Sequence, residues 1–157
     1  MCLRVFAVAV LFVAPSLAGD AVVPVSVCEI LGKLPEYEGK DLAVIGRYSF
    51  RKDGRWIGEQ ACSMPDVKPL LWLTEDVVSG PKPPADFELN GVILNQKFAA
   101  MLKTTTLGKF RFGTPDYDRW AVVFGRIVPR KGNDAAKASA ELVFRGSGVV
   151  IFLTNDQ

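Results

Sequence analysis

Apolar and polar positions alternate with a period of two from residue 42 to residue 50, which predicts a β-strand. Leu42 and Val44 fall on the same face as Tyr48 and Phe50. Because a strand buries one face against a core, we expect both aromatic rings to be buried.

Further strands follow along the chain. The Asp-Gly step at positions 53 and 54 favours a tight turn, so residues 56 to 60 are predicted to return as an antiparallel partner. Similar apolar runs bounded by Gly, Pro or polar residues predict later strands over 70 to 74, 120 to 128, 141 to 145 and 149 to 153.

Two segments change to a helical period. Ser26 and Glu29 have the spacing of a capping box and predict the start of a short helix. Apolar residues between 94 and 102 recur at helical spacing and predict a second helix, for which Asn95 is the candidate N-cap.

A leading helix, three strands, a helix and two or three final strands form the element order of the OB-fold, a small Greek-key barrel of five or six strands. Glycines at positions 46, 58 and 125 agree with sharply coiled strands, which need places without a Cβ. An antiparallel β-sandwich is the alternative architecture for the same mainly β sequence with two short helices.

The first 18 residues have the features of a secretory leader. Arg4 precedes an unbroken apolar run from 5 to 13, and small residues end at Ala18, where we expect cleavage. The run is shorter than the roughly 20 residues that span a bilayer, although an uncleaved anchor or a buried core segment remains the alternative. We therefore expect one domain over 19 to 157 in a protein exported to the periplasm or secreted.

Loss of the leader would remove Cys2 and leave Cys28 and Cys62 as the only cysteines. Disulfides persist outside the cytoplasm, and an even pair in such a chain predicts a bridge. A redox-active pair is the competing interpretation, but the two residues lack the C-x-x-C spacing that lowers a thiol pKa.

One resemblance rests on three stretches. Residues 25 to 31 are VSVCEIL, residues 37 to 47 are YEGKDLAVIGR, and Cys62 follows. These features resemble a group of small exported bacterial proteins of unknown function, which have a V-C-E-I/L helix and a Y-x-G-K-x-V-x-V-x-G strand. The resemblance covers about a quarter of the mature chain; it implies an OB-like barrel and no known activity.

Composition excludes several kinds of chemistry. The chain contains no histidine, so serine and cysteine nucleophiles activated by imidazole, and imidazole metal ligands, are excluded. We predict no catalytic residue, no metal site and no cofactor, and hence no enzyme. Without Arg4 the chain has 18 basic and 17 acidic residues, a net charge of +1, so any basic surface must be local.

OB barrels bind ligands on the face of their second and third strands, beside the loops that join strands one to two and four to five. Aromatic and basic residues predicted at these places are Arg51, Lys52, Arg55, Trp56, Trp72, Arg130 and Lys131. Rings that stack and a cationic rim are how such barrels hold single strands or sugars. The alternative is that the turns are charged because they are exposed to solvent, and that the aromatic rings belong to the core. The orientation of Trp56 distinguishes the two interpretations.

Two functions of different kinds remain open. The first is a non-catalytic binding module of the cell envelope, with an anionic glycan, a lipid headgroup, a nucleic acid or an acidic protein at the basic loops; among these, nucleic acid is not favoured. The second is a protein interaction domain that presents the apolar strand at 149 to 153 as an exposed sheet edge to another envelope protein.

Overall fold

Five strands close into a barrel in the computed structural model, which describes residues 21–108, 116–146 and 150–153. The predicted leader and its cleavage site lie outside the described residues, as does position 149. The elements in chain order are β1 (Val25–Ser26), α1 (Val27–Gly32), α2 (Leu34–Tyr37), β2 (Asp41–Arg51), β3 (Gly54–Gly58), β4 (Leu70–Glu75), α3 (Gly91–Thr104), β5 (Tyr117–Pro129), a 3-10 helix (Gly132–Ala136), β6 (Ala140–Phe144) and β7 (Val150–Leu153).

The barrel closes because β2 pairs with strands on both of its sides. Its carboxyl half pairs with β3, and nearly its whole length pairs with β5, both antiparallel. The circuit runs β2, β3, β4, β6, β5 and back to β2, with β4 and β6 parallel. This order, with α3 between the third and fourth barrel strands, is that of the OB-fold. The predicted barrel is therefore confirmed, and the sandwich alternative is wrong.

Two short strands extend the barrel wall. β1 lies parallel to β2, and β7 pairs antiparallel with β5. Glycines allow the wall to coil tightly: a Cβ added at Gly46, Gly58 or Gly125 would lie 2.7 Å from a neighbouring atom. Replacing any of the three would push neighbouring strands apart.

Alternate residues of the barrel strands fill one apolar core, and α1 adds Val27 and Ile30 to it. Tyr48 is 4% exposed, as its strand face predicted, and Phe50 is partly buried against the same core. The largest fully buried side chains are Phe144, Ile30, Ile45, Ile57, Leu71, Ile127 and Leu142.

The capping box at the start of α1 is present. The Glu29 N–H donates to the Ser26 hydroxyl at 3.4 Å, and the Ser26 N–H donates to the Glu29 carboxylate at 2.7 Å. Cys28, in the first turn, forms the predicted disulfide with Cys62, with their Cα atoms 5.4 Å apart. The bridge fastens this short helix to the loop after β3, which compensates for the low stability of a six-residue helix.

Helix boundaries differ from those predicted. α3 begins at Gly91, and its N-cap is Asn90, whose side-chain oxygen accepts from the Ile93 N–H at 3.1 Å. Asn95 lies inside the helix, so its prediction as the cap is wrong: the extended residue whose oxygen reaches the N3 amide defines the cap. A third short helix, α2, was not predicted; Pro35 stands in its first turn, where proline is tolerated. In the described part of the chain, none of the helices is long and apolar enough to cross a membrane.

Candidate ligand-binding site

Two tryptophans stack on each other on the outer surface of the barrel. Trp56 of β3 is the direct antiparallel partner of Trp72 of β4. Their ring centroids are 5.8 Å apart, with an angle of 25° between the ring planes. The adjacent partners Ile57 and Leu71 are completely buried inside the barrel. Because successive side chains of a strand point to opposite faces, Trp56 and Trp72 point outward, and both remain half-buried.

Gly54 provides the space in which the Trp72 ring lies. A Cβ at this position would clash with the six-membered ring of Trp72. Its φ of +141° is also a conformation that residues with a side chain rarely adopt. The Asp-Gly step that forms the turn thus also positions the indole.

Cations from two separate loops surround the indole pair. The Arg51 guanidinium, at the end of β2, lies 5.9 Å from the centroid of the Trp56 ring. From the connection between β5 and β6, the Arg130 guanidinium lies 5.2 Å and the Lys137 ammonium 5.8 Å from the centroid of the Trp72 ring. The closed barrel therefore brings the turn after β2 and the connection before β6 to the same rim.

Between these loops is an open cleft of about 470 Å³, here called the tryptophan cleft. The Lys68 ammonium donates to the carbonyl oxygen of Ala136 at 2.7 Å and joins the loop before β4 to the 3-10 helix. The residues that line the cleft are Asp53, Trp56, Lys68, Leu70, Trp72 and Lys137.

The predicted arginines of this region are held by carboxylates. Arg51 contacts Asp118 at 2.6 Å, and Arg130 lies 3.4 Å from Asp134 and 3.9 Å from Glu141. The charge that each guanidinium offers to a ligand is therefore largely balanced. One Arg130 nitrogen, Nη1, is buried and has no hydrogen-bond partner among the described residues.

Asp118 is the buried member of the ion pair with Arg51, with its side chain only 3% exposed. Burial raises the pKa of this carboxyl group, but hydrogen bonds from Ser49, Arg51 and the Gly108 N–H outweigh that effect. The net result is a pKa below the usual aspartate value, so Asp118 is ionised at neutral pH.

Lys68 and Lys137 carry the less compensated positive charges of the cleft. Within the residues that the structure describes, neither ammonium forms an ion pair with a carboxylate. Asp53 supplies one negative charge to the same cleft. The tryptophan cleft thus combines an aromatic wall with two amines and one carboxylate, which suits stacking and ionic contacts.

Arg55 lies outside the cleft. It follows Gly54 in β3 on the inward face, where its guanidinium contacts Glu75 at 3.1 Å and lies 5.3 Å from the centroid of the Phe144 ring. Lys52 and Lys131 are exposed in the turn and the connection, and neither lines the cleft. Of the seven predicted residues, the barrel brings together Trp56 and Trp72, with Arg51 and Arg130 beside them.

Sequence reasoning missed four residues of the cleft: Asp53, Lys68, Leu70 and Lys137. Leu70 was within reach of the strand pattern, because it shares a face with Trp72 two positions later. Asp53 belongs to the Asp-Gly turn already identified. Lys68 and Lys137 lie in connections, and nothing in their local sequence indicates that these connections meet.

A second, smaller cavity of about 230 Å³ lies elsewhere, at one end of the barrel. Burial is the main reason why the pKa of Tyr48, which lines it, is raised above the usual tyrosine value. The cavity is lined by Tyr48, Arg55, Glu75, Tyr117, Phe144, Val150 and Phe152.

Residues 21–108, 116–146 and 150–153 contain no cluster of three Cys, Asp or Glu side chains that could hold a metal ion. The chain matches no protein-family model, no curated protein and no solved structure. The resemblance based on residues 25 to 31, residues 37 to 47 and Cys62 therefore stays a prediction.

Proposed function

We propose that the protein is a non-catalytic, exported binding module of the cell envelope that holds an anionic ligand in the tryptophan cleft. The observation that carries this proposal is the Trp56–Trp72 pair, which lies on the outer wall between two convergent loops with Lys68 and Lys137 at its sides. Anionic glycans, lipid headgroups, nucleic acids and acidic proteins are the ligand classes that this chemistry admits.

The position of the two indoles supports a binding role. Tryptophan is highly buried on average in folded proteins, and the barrel core is filled without Trp56 and Trp72. Two stacked indoles that both remain partly exposed present apolar surface to solvent, which is a common mark of ligand or partner sites. Aromatic rings contribute large contact areas at low entropic cost, because they have few rotatable bonds.

The charges around the indoles support an anionic ligand. Lys68 and Lys137 lie in the cleft without an ion-pair partner in the described part of the chain. A concave surface with positive charge raises the local concentration of anions and speeds their association. The proposed ligand accordingly carries negative charge next to a face that can stack on indole.

The Cys28–Cys62 bridge supports export. Structural disulfides are rare where glutathione and thioredoxin keep thiols reduced, and they persist in secreted and periplasmic proteins. The leader predicted over residues 1 to 18 provides the route.

The proposal is tested by titrating the purified protein with three anionic probes: a trigalacturonate, vesicles that contain phosphatidylglycerol, and a hexathymidylate. Indole fluorescence reports on the cleft, because the third tryptophan, Trp120, is only 3% exposed and packs against Phe98. We expect at least one probe to bind, with an affinity that falls as NaCl rises.

The double variant Trp56→Ala with Trp72→Ala should lose this binding. Its binding is measured by calorimetry, because the two indoles that report by fluorescence are absent. Lys103→Gln, an exposed change in the last turn of α3, is the control for surface charge. If none of the probes binds, or if the double variant binds as well as the natural chain, the tryptophan cleft is not a ligand site.

A second candidate function rests on β7. Among the described residues, β7 pairs only with β5, and Ile151 and Phe152 of this strand are each 38% exposed. An extended segment of an envelope protein could pair with its other edge through backbone hydrogen bonds. Such pairing would change little with ionic strength, whereas it would be weakened by Ile151→Pro, which removes a backbone donor. Binding that weakens with salt and is unaffected by this variant contradicts the edge role.

A further inference from the structure

We infer that the tryptophan cleft takes an acidic saccharide: a pyranose ring stacks on the Trp56–Trp72 pair, a carboxylate of the sugar pairs with Lys137, and a sugar hydroxyl donates to Asp53. This inference rests on the proposed function and specifies its ligand class. It follows from the mixed charge and the size of the cleft.

Asp53 is the first argument. A carboxylate that lines the cleft repels a second anion nearby, but it accepts hydrogen bonds from hydroxyl groups. A DNA strand brings one negative charge per nucleotide, which Asp53 repels, and inside the chain it offers only base N–H groups as donors to this carboxylate. An acidic sugar brings both kinds of group, hydroxyls that donate to the Asp53 carboxylate and a carboxylate that pairs with an ammonium of the cleft.

The arginines are the second argument. Phosphate is recognised best by the two parallel donors of a guanidinium. Arg51 and Arg130 are the guanidinium groups beside the indoles, and both are engaged by carboxylates. What remains is the ammonium of Lys137, which lies over the Trp72 ring and is a point charge that suits a single carboxylate.

The shape of the indole pair is the third argument. The ring centroids are 5.8 Å apart and the planes differ by 25°, so the two indoles stack nearly parallel on each other, and together they form the aromatic wall of the cleft. The C–H groups on one face of a pyranose carry partial positive charge, which complements the negative face of an indole. The cleft volume of about 470 Å³ falls in the lower part of the range for small-ligand sites, roughly 300–1,000 Å³. The cleft therefore suits a short saccharide better than a long stretch of polymer.

The position of Lys68 favours a ligand of limited length. Its ammonium is fixed by the carbonyl oxygen of Ala136, so the loop before β4 and the 3-10 helix form a wall on one side of the cleft. A ligand on the indoles meets this wall and the Lys137 ammonium together. We expect Lys137 to discriminate acidic from neutral sugars and Lys68 to shape the cleft.

Calorimetric titration of the natural chain with trigalacturonate, with the neutral trisaccharide maltotriose, with hexathymidylate and with phosphatidylglycerol vesicles tests the ligand class. We expect trigalacturonate to bind about tenfold more tightly than maltotriose, because one of its three carboxylates makes a charge-assisted hydrogen bond with Lys137 that neutral maltotriose cannot make. Lys137→Gln should remove this preference, while Lys103→Gln should retain it.

The variant Asp53→Asn distinguishes a saccharide ligand from a nucleic acid ligand. We expect this variant to bind trigalacturonate roughly threefold more weakly, because a neutral amide oxygen is a poorer acceptor than a carboxylate. It should bind hexathymidylate more tightly than the natural chain, because a repulsive charge is gone. Neither Lys137→Gln nor Asp53→Asn removes packed apolar surface, so both variants are expected to fold.

Three outcomes would contradict the inference that the ligand is an acidic saccharide. These are equal affinity for maltotriose and trigalacturonate, tighter binding of hexathymidylate than of trigalacturonate, and unchanged preference in Lys137→Gln. If vesicles or hexathymidylate bind through Trp56 and Trp72 while trigalacturonate does not, the proposed binding function stands and only the ligand class fails. If no probe binds, both proposals fail.

Discussion

Arg51 and Asp118 form an ion pair of 2.6 Å between the ends of two barrel strands, and its carboxylate is almost completely buried. Arg51 is the last residue of β2. Asp118 is the second residue of β5 and lies opposite Ser49 in the antiparallel register. The pair closes the barrel beside Trp56, so the arginine predicted to serve a ligand stabilises the wall.

Removing the Asp118 charge should therefore destabilise the protein. Asp118→Asn leaves Arg51 without its counter-charge, and we expect the free energy of unfolding to fall by about 1–3 kcal/mol, a value reduced because Arg51 is partly exposed. Urea unfolding measures the change. Asp41→Asn is the matched control, because its ion pair with Arg126 joins the same two strands in an exposed position. An equal loss in both variants would contradict a special role for the buried pair.

Acid should unfold the protein partly through Asp118. Hydrogen bonds lower its folded-state pKa, so its stabilising contribution is complete above the ordinary aspartate pKa and is lost as the pH falls through the lowered value. Glu29, with a pKa lowered by Lys97 and Ser26 against the opposing effect of burial, has the same sign. Thermal unfolding temperatures measured from neutral to strongly acidic pH should decrease less steeply in Asp118→Asn than in Asp41→Asn. Parallel curves would show that Asp118 titrates with an unshifted pKa.

Local pattern was enough to predict most of the barrel. The period-two segment at 42 to 50 and the Asp-Gly turn depend on residue preferences that act over short distances. The disulfide could be predicted because the mature chain contains two cysteines. Helix ends were harder, because whether Asn90 or Asn95 caps α3 depends on which residue is extended in the folded chain.

The site was predicted less completely, for a physical reason that differs between residues. Arg55 and Trp56 are neighbours in one strand, so strand alternation alone already places them on opposite faces. The partners of Arg51 and Arg130 come from the β2–β5 register and from the connection before β6, which exist only after closure. Lys68 and Lys137 are 69 residues apart and meet at the cleft for the same reason.

The disulfide predicts a simple chemical result. Protein that starts at Gly19 and is unfolded without reductant should show no free thiol, because Cys28 and Cys62 are its only cysteines and are joined. Two free thiols per chain would contradict the bridge. Replacing both cysteines by serine should lower the free energy of unfolding by about 2–4 kcal/mol, measured by urea unfolding. The loss should include α1, which the bridge fastens to the barrel.

Gly54 links the stability of the hairpin to the shape of the tryptophan cleft. In Gly54→Ala the new methyl group meets the Trp72 ring, and the positive φ is unfavourable for alanine, so we expect a loss of about 1–3 kcal/mol in unfolding free energy. Displacement of the indole should also change the tryptophan fluorescence of the folded protein and weaken trigalacturonate binding. Gly91→Ala is the control: it is the first residue of α3, it has open space around an added Cβ, and its stability should change little or increase. If Gly54→Ala folds with unchanged stability and fluorescence, Trp72 does not depend on this glycine for its position in the cleft.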